Sequence, residues 1–163
     1  MNKRIFITLG SQKFQFNRLL KAVDKLDEKR CINSEDVFAQ TGYSDYLPKN
    51  FAYKKFLDRD EFSNEMEKAD IVISHGGTGA IISALKKGKK VIAVPRRAKY
   101  GEHVDDHQLQ LVSQFKELNL ICVCDDVKEI GEALKIVKRT TYEKYLSNTQ
   151  RIIDSIERYI ENM

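Results

Sequence analysis

The sequence predicts an α/β fold, a Rossmann-like parallel sheet with helices on both faces, and three observations predict it. Short apolar runs rich in β-formers alternate with segments of helical periodicity along most of the chain. The run Asp70–Ser74 has an unbroken Ile71-Val72-Ile73 centre, the pattern of a strand buried on both faces. It ends in Ser74-His75-Gly76-Gly77-Thr78-Gly79, a glycine turn that opens directly into a helical pattern. Such alternation implies right-handed crossovers and a ligand site beyond the carboxyl ends of the strands.

Taken in order, Arg4–Leu9 is the first strand and Gly10-Ser11 its closing turn. Phe16, Leu19, Leu20, Val23 and Leu26 then recur at helical spacing. Asp36–Gln40 and Phe51–Phe56 read as two short strands, the first followed by the turn Thr41-Gly42-Tyr43-Ser44. Glu61–Ala69 is a polar helix with Phe62, Met66 and Ala69 on one face. After the central strand come a helix at Thr78–Lys87, a strand at Lys90–Pro95, a helix at Asp105–Leu118 and a strand at Leu120–Cys124. Two helices close the chain, Lys128–Lys138 and Tyr142–Ile160, and the second carries an apolar stripe through Tyr142, Tyr145, Leu146, Thr149, Ile152, Ile153, Ile156, Tyr159 and Ile160. That stripe either folds back on its own domain or is partly offered to a partner.

The 163 residues form one domain, 1–163, and 42% hydrophobic with 32% charged residues is ordinary globular composition rather than the signature of disorder. The longest apolar stretches fall far short of the roughly 18 residues that span a bilayer. Met1-Asn2-Lys3-Arg4 leads straight into the first strand without a signal-peptide core, which gives a cytoplasmic expectation. Cys31, Cys122 and Cys124 are an odd count and read as reduced thiols buried in a core. The net charge of +4 is uneven, with Lys86, Lys87, Lys89, Lys90, Arg96, Arg97 and Lys99 crowded into one segment. A solvated helix end, a phosphate-rich ligand, an anionic membrane surface or nucleic acid would each suit it. The absence of an interleaved aromatic before Tyr100 counts against a stacking platform for single strands.

The glycine turn carries the chemistry. Its free amides at a helix start, with the positive end of the helix dipole, make an anion site suited to a diphosphate. The spacing is neither a Walker loop nor Gly-x-Gly-x-x-Gly, which disfavours P-loop chemistry and adenine dinucleotides. Gly10-Ser11-Gln12 follows the first strand in the equivalent place and either flanks the same crevice or is a plain turn. Gly101-Glu102-His103-Val104-Asp105-Asp106-His107-Gln108 is dense in hydrogen-bonding side chains that suit sugar hydroxyls. His103 and His107 stand four apart, but no third nitrogen or sulfur ligand is near in sequence and no metal is expected. Asp58-Arg59-Asp60 is read as loop and helix-cap chemistry, and covalent hydrolase chemistry has no Gly-x-Ser-x-Gly elbow to support it.

Together Thr8-Leu9-Gly10-Ser11, Gln40-Thr41-Gly42, the Ser74–Gly79 turn, Pro95-Arg96 and the Gly101–Gln108 segment resemble the C-terminal domain of glycosyltransferase family 28 over nearly the whole chain. In style they are nearest to small bacterial exopolysaccharide and capsule transferases, which are similar to the catalytic subunit of the eukaryotic two-component N-acetylglucosaminyltransferase that builds dolichol-linked chitobiose. The resemblance implies the C-terminal half of a GT-B glycosyltransferase, a UDP-sugar donor and no other cofactor. It also implies a membrane-anchored partner that supplies the acceptor-binding half, consistent with a length about half that of a complete two-domain enzyme. By position, Gly76, Gly77, Thr78 and Gly79 would hold the diphosphate, with Gly10 and Ser11 approaching from the other side. Asp106, His107 and Gln108 would reach the sugar or ribose, and Arg96, Glu102 and His103 belong to the same wall. Where many relatives carry a ribose-binding glutamate, this chain has Ser83.

The expected reaction is an inverting displacement at the anomeric carbon that moves a hexose to a lipid-linked acceptor in exopolysaccharide or capsule synthesis, at the inner face of the plasma membrane through the partner. The loop amides would stabilise the leaving diphosphate without a metal. A general base is required, and His75, His103 and Glu102 are the candidates here, with the partner an equal source. The alternatives are a non-catalytic nucleotide-binding regulatory subunit and a UDP-sugar epimerase-like enzyme; a nucleic-acid partner is not expected. The isolated chain could pair with itself through the surface meant for its partner.

Overall fold

The computed structural model describes residues 3–10, 13–103 and 107–146, together with Arg151, Asp154, Ser155, Glu157, Arg158 and Glu161. Strands β1 (Ile5–Thr8), β2 (Val37–Gln40), β3 (Ala52–Lys54), β4 (Ile71–Ser74), β5 (Lys90–Ala93) and β6 (Cys122–Val123) form one sheet in the order 3-2-1-4-5-6. Every pairing is parallel. Helices α1 (Asn17–Glu28), α2 (Arg59–Lys68), α3 (Thr78–Lys86), α4 (His107–Glu117) and α5 (Ile130–Arg139) cover it. The fold class expected from the sequence is the one observed.

The period-two alternation of a strand divides the core into two layers. Ile5 and Ile7 of β1, Ile71 and Ile73 of β4, and Ile92 of β5 pack with Leu19, Leu20 and Val23 of α1 and Leu134 and Val137 of α5. Phe6, Val72, Val91 and Ala93 point the other way, against Met66 of α2, Ile81 and Leu85 of α3, and Val112 and Phe115 of α4. β1 and β4 are buried along their whole length, so both need apolar residues at consecutive positions. Each fully buried large side chain contributes roughly 1.5–3 kcal/mol.

Two strands and one helix differ from the sequence expectation. β3 shortens to three exposed residues at the edge where the sequence predicts Phe51–Phe56, and β6 to Cys122–Val123 where it predicts Leu120–Cys124. Between β2 and β3 the chain runs as a loop through the expected turn at Thr41–Ser44, held by the buried Asp24 of α1. Asp24 accepts hydrogen bonds from the Tyr46 hydroxyl at 2.6 Å, the Lys49 amide at 2.9 Å and the Asn50 amide at 3.1 Å. Desolvation, then the bond to Asp24, pushes the Tyr46 phenol up to about 12. The predicted Tyr142–Ile160 helix does not begin at Tyr142, because residues 141–146 are not helical. Tyr142 packs on one core layer and Tyr145 on the other, while the Glu143 amide donates to the Asn119 carbonyl at 2.9 Å. Helical backbone returns at Arg151, Asp154, Ser155, Glu157, Arg158 and Glu161; Thr149, Ile152, Ile153, Ile156, Tyr159 and Ile160 of the stripe lie outside the described residues.

The basic residues that crowd one stretch of sequence do not form one patch in the fold. Lys86, Lys87, Lys89 and Lys90 lie where β5 begins, and Arg96, Arg97 and Lys99 lie beyond its other end. Lys87 pairs with Glu67 at 3.2 Å and Arg97 with Asp125 at 3.4 Å, while Arg96 is buried. Of the thiols expected in the core, Cys124 is buried and Cys122 half-buried, but Cys31 is exposed. Asp58 is the N-cap of α2 and forms a reciprocal capping box with Glu61, as its reading as cap chemistry anticipated.

Asp24→Ala should lower stability by about 3 kcal/mol, since three donors lose a buried charged acceptor. Tyr46→Phe, which removes one of them, should cost about 1 kcal/mol. Urea denaturation checks both; similar losses in the two variants would mean that the carboxylate does not organise the loop.

Candidate functional site

In a 3-2-1-4-5-6 sheet the chain leaves β1 and β4 in opposite directions, and the loops after these neighbours part to leave a crevice at the carboxyl edge. A cavity of about 560 Å³ occupies that place. Thr8 and Gly10 line it from the β1 side and Gln40 from β2. His75, Gly77, Thr78, Gly79 and Ala80 line it from the β4 loop and the first turn of α3, and Leu57 and Phe62 complete it. Smaller cavities of about 360 and 430 Å³ lie at the amino edge, where Ile5 opens β1 and Lys90 opens β5.

The α3 end is built to receive an anion. The first amides of a helix have no intrahelical partner, and here the N-cap is Gly77, which has no side chain to satisfy one. Gly76 holds φ at +93°, a conformation that turns the strand exit into the helix and that a residue with a side chain rarely adopts. A Cβ added at Gly79 would meet nothing within 4 Å, so this position faces open space. The helix end thus presents unpaired N–H groups and a positive dipole to the cavity, the arrangement that binds phosphate groups elsewhere.

His75 lies between the two loops. A Cβ at Gly10 would come within 2.7 Å of His75 Nε2, and one at Gly77 would collide with the same ring. Gly10 also has φ of +73°. The imidazole is buried, and its Nδ1 has no hydrogen-bond partner among the described residues. Desolvation first, then the charges of Arg96 and His103, push its pKa down to about 3. His75 is therefore neutral at physiological pH and a weak base. Beside it, the Thr8 hydroxyl donates to Gln40 Oε1 at 3.1 Å and fixes the amide on the cavity wall.

The other expected site residues divide. Arg96 and Glu102 are almost wholly buried and lie behind the wall rather than on it, which corrects their placement with the ligand-facing side chains. Glu102 takes a two-point ion pair from Arg18 at 3.0 Å and 3.0 Å and also accepts from the Arg97 amide at 2.9 Å. A carboxylate so committed is not a free general base. His103 follows it in the chain and sets its ring 5.4 Å from that of Phe14. Ser11 and Asp106 lie outside the described residues, as do the side chains of His107 and Gln108, whose backbone opens α4. Ser83 lies half-buried on α3, one turn beyond Gly79. Sequence reasoning did not assign Leu57, Phe62 or Arg18 to the site; each sits in an unremarkable local pattern, and only the topology brings them to it.

Residues 4–160 match the family model for the glycosyltransferase family 28 C-terminal domain. The chain is similar to the UDP-N-acetylglucosamine transferase subunit ALG13 of Homo sapiens, 30% identical over 142 residues that cover 82% of this chain and 12% of that protein. It is similar to the ALG13 subunit of Candida glabrata at 36% identity over 121 residues, 70% of this chain and 55% of that one. These relatives are eukaryotic, and the chain spans only part of their length. Among solved structures, the calicheamicin glycosyltransferase CalG4 superposes with a TM-score of 0.60 at 18% identity, covering 99% of this chain and 38% of that one. The solution structure of ALG13 gives 0.58 at 18% identity, covering 88% and 89%. The Streptomyces glycosyltransferase SsfS6 complexed with thymidine diphosphate gives 0.58 at 20%, covering 99% and 41%. The fold these share is the C-terminal half of a GT-B glycosyltransferase.

The buried imidazole makes stability depend on pH. With a folded pKa of about 3 against 6.5 for the free group, the unfolded chain takes up the proton first. The contribution is complete above about pH 6.5 and is lost as the pH falls toward 3, with a slope approaching about 1.4 kcal/mol per unit. Replacement of the group by His75→Gln should flatten urea-measured stability between pH 7 and 4.5 by nearly that slope. Parallel curves for the two proteins would show that the native imidazole protonates freely.

Proposed function

The chain belongs to the glycosyltransferase family 28 C-terminal domain family, and from that premise we propose that it is the donor-binding, catalytic subunit of a two-component inverting glycosyltransferase. It takes a hexose from a UDP-sugar. The observation that carries this reading is the open α3 N-terminus at the switch point, with Gly79 facing empty space and Gly10 opposite. A diphosphate would lie on those amides, and the charge that grows on it as the glycosidic bond breaks would meet a preorganised dipole with no metal needed. The relatives named as UDP-N-acetylglucosamine transferase subunits, and the similar fold solved with thymidine diphosphate, support a nucleoside-diphosphate ligand.

The acceptor half comes from a partner in this reading, which the naming of the relatives as transferase subunits supports. That partner is anchored at the membrane and brings a lipid-linked sugar; the setting is exopolysaccharide or capsule synthesis at the inner face of the plasma membrane, a reading that rests on the resemblance of the sequence motifs taken together. Attack on the anomeric carbon from the face opposite the diphosphate requires a base. The buried, acid-shifted His75 and the paired Glu102 are poorly placed for it, which leaves His103 and the partner as its sources.

Calorimetry with UDP tests the donor site. Gly79→Val should shift the melting temperature by only a few degrees, since its Cβ enters free space, yet weaken UDP binding at least tenfold. Gly77→Ala should instead lower stability, because its Cβ meets His75. UDP binding of wild-type strength in Gly79→Val would remove the diphosphate from this helix end. In a transfer assay on membranes with the partner coexpressed, His103→Ala should abolish turnover and spare UDP affinity if this chain supplies the base; full activity would assign the base to the partner.

A further inference from the structure

Among the described residues, the largest fully buried side chain is that of Arg96. Its Nη1 donates to the carbonyls of Phe14 at 2.8 Å, Gln15 at 3.3 Å and Glu102 at 3.1 Å, and its Nη2 to that of Leu9 at 2.5 Å. Leu9, Phe14 and Gln15 belong to the segment that follows β1, and Glu102 to the segment that follows β5. One guanidinium therefore joins the two stretches of chain that flank β4 and its glycine turn. Further contacts run alongside: Gln15 Nε2 donates to the Tyr100 carbonyl at 3.0 Å, and Arg18 grips Glu102. The guanidinium also lies over the Phe16 ring at 5.4 Å.

The charges in this clasp do not cancel. Arg18 pairs with the Glu102 carboxylate, Arg96 bonds the Glu102 carbonyl and feels that carboxylate's charge without a close ion pair, and the Arg97 side chain pairs with Asp125. Burial lowers Arg96 to about 10, so it remains a cation at neutral pH. Its field reaches the cavity, since Arg96 is among the causes that lower His75. In a buried setting such a charge is weakly screened.

We propose that Arg96 is a positioning residue for the donor: it fixes the segments after β1 and β5 around the crevice and, through the net positive charge of the Arg18–Glu102–Arg96 clasp, favours a second phosphate without touching the ligand. The proposal rests on the donor-site reading above and adds a source of selectivity for diphosphate over monophosphate.

Binding of UDP and of UMP to the whole chain, measured by calorimetry beside thermal melts, separates this role from simple support of the fold. Arg96→Met should weaken UDP at least tenfold and narrow the UDP-to-UMP affinity ratio about threefold or more. Glu102→Gln keeps the shape and removes the opposing charge. It should lower the melting temperature yet widen the same ratio about twofold, because stability and diphosphate preference then move in opposite directions. Equal losses for both nucleotides in Arg96→Met, or a ratio unchanged or narrowed in Glu102→Gln, would overturn the proposal. Should Arg96→Met fail to fold, the Glu102→Gln ratio decides alone. A wild-type chain that binds neither nucleotide refutes the donor-site reading itself, whatever the variants do.

Discussion

The contact on which the site depends is the packing of one imidazole between two glycine-bearing loops. β1 and β4 lie side by side in the sheet, so the turns that leave them compete for the same volume. His75 fills the space between these turns, and neither Gly10 nor Gly77 has room for a Cβ beside it. The ring thus determines how close the turns approach and so the width of the crevice mouth. Its burial also fixes its protonation state, because a charged imidazole here would be poorly solvated and would face Arg96. Geometry and electrostatics at the mouth are set by a single side chain.

Around that contact the molecule separates binding from support. The surfaces that face the cavity are the helix-end backbone, small residues, the Gln40 amide, the His75 ring and the apolar Leu57 and Phe62. Arg96 and Glu102, charged and expected at the ligand, are instead buried behind the wall. This division has a physical basis. A preorganised dipole incurs little reorganisation as charge develops on a leaving group, whereas a long flexible cation on the wall would have to be ordered each time.

Much of the fold was legible because period-two and helical patterns report burial directly. Ile71-Val72-Ile73 announced a strand buried on both faces, and the glycine turn after it announced a helix start; both stand where expected. What holds the β2–β3 loop was not legible, since Asp24 is far away in α1 and looks like an ordinary polar residue on an amphipathic helix. The Tyr142 stripe misled for a related reason: Tyr142 and Tyr145 have helical spacing, but they anchor a non-helical stretch to the two core layers. At the site, Arg96 and Glu102 were recognised as belonging to the region and assigned to the wrong side of its wall. A sequence shows that a residue is charged; whether that charge faces a ligand or four backbone carbonyls depends on where the chain folds its carbonyls.

That ambiguity bears on the proposed division of labour between this chain and a partner. The chain holds a neutral imidazole at the crevice, and the buried Glu102 near it is paired with Arg18. Both features suit a surface that stabilises negative charge, since a free carboxylate at the crevice would repel a diphosphate and an imidazolium there would have to be desolvated. The demands of proton abstraction are the opposite, for a base must be accessible and basic at the operating pH. Two sets of residues with conflicting electrostatic requirements are more readily met on separate surfaces than on one, and the crevice described here suits the leaving group of the proposed reaction.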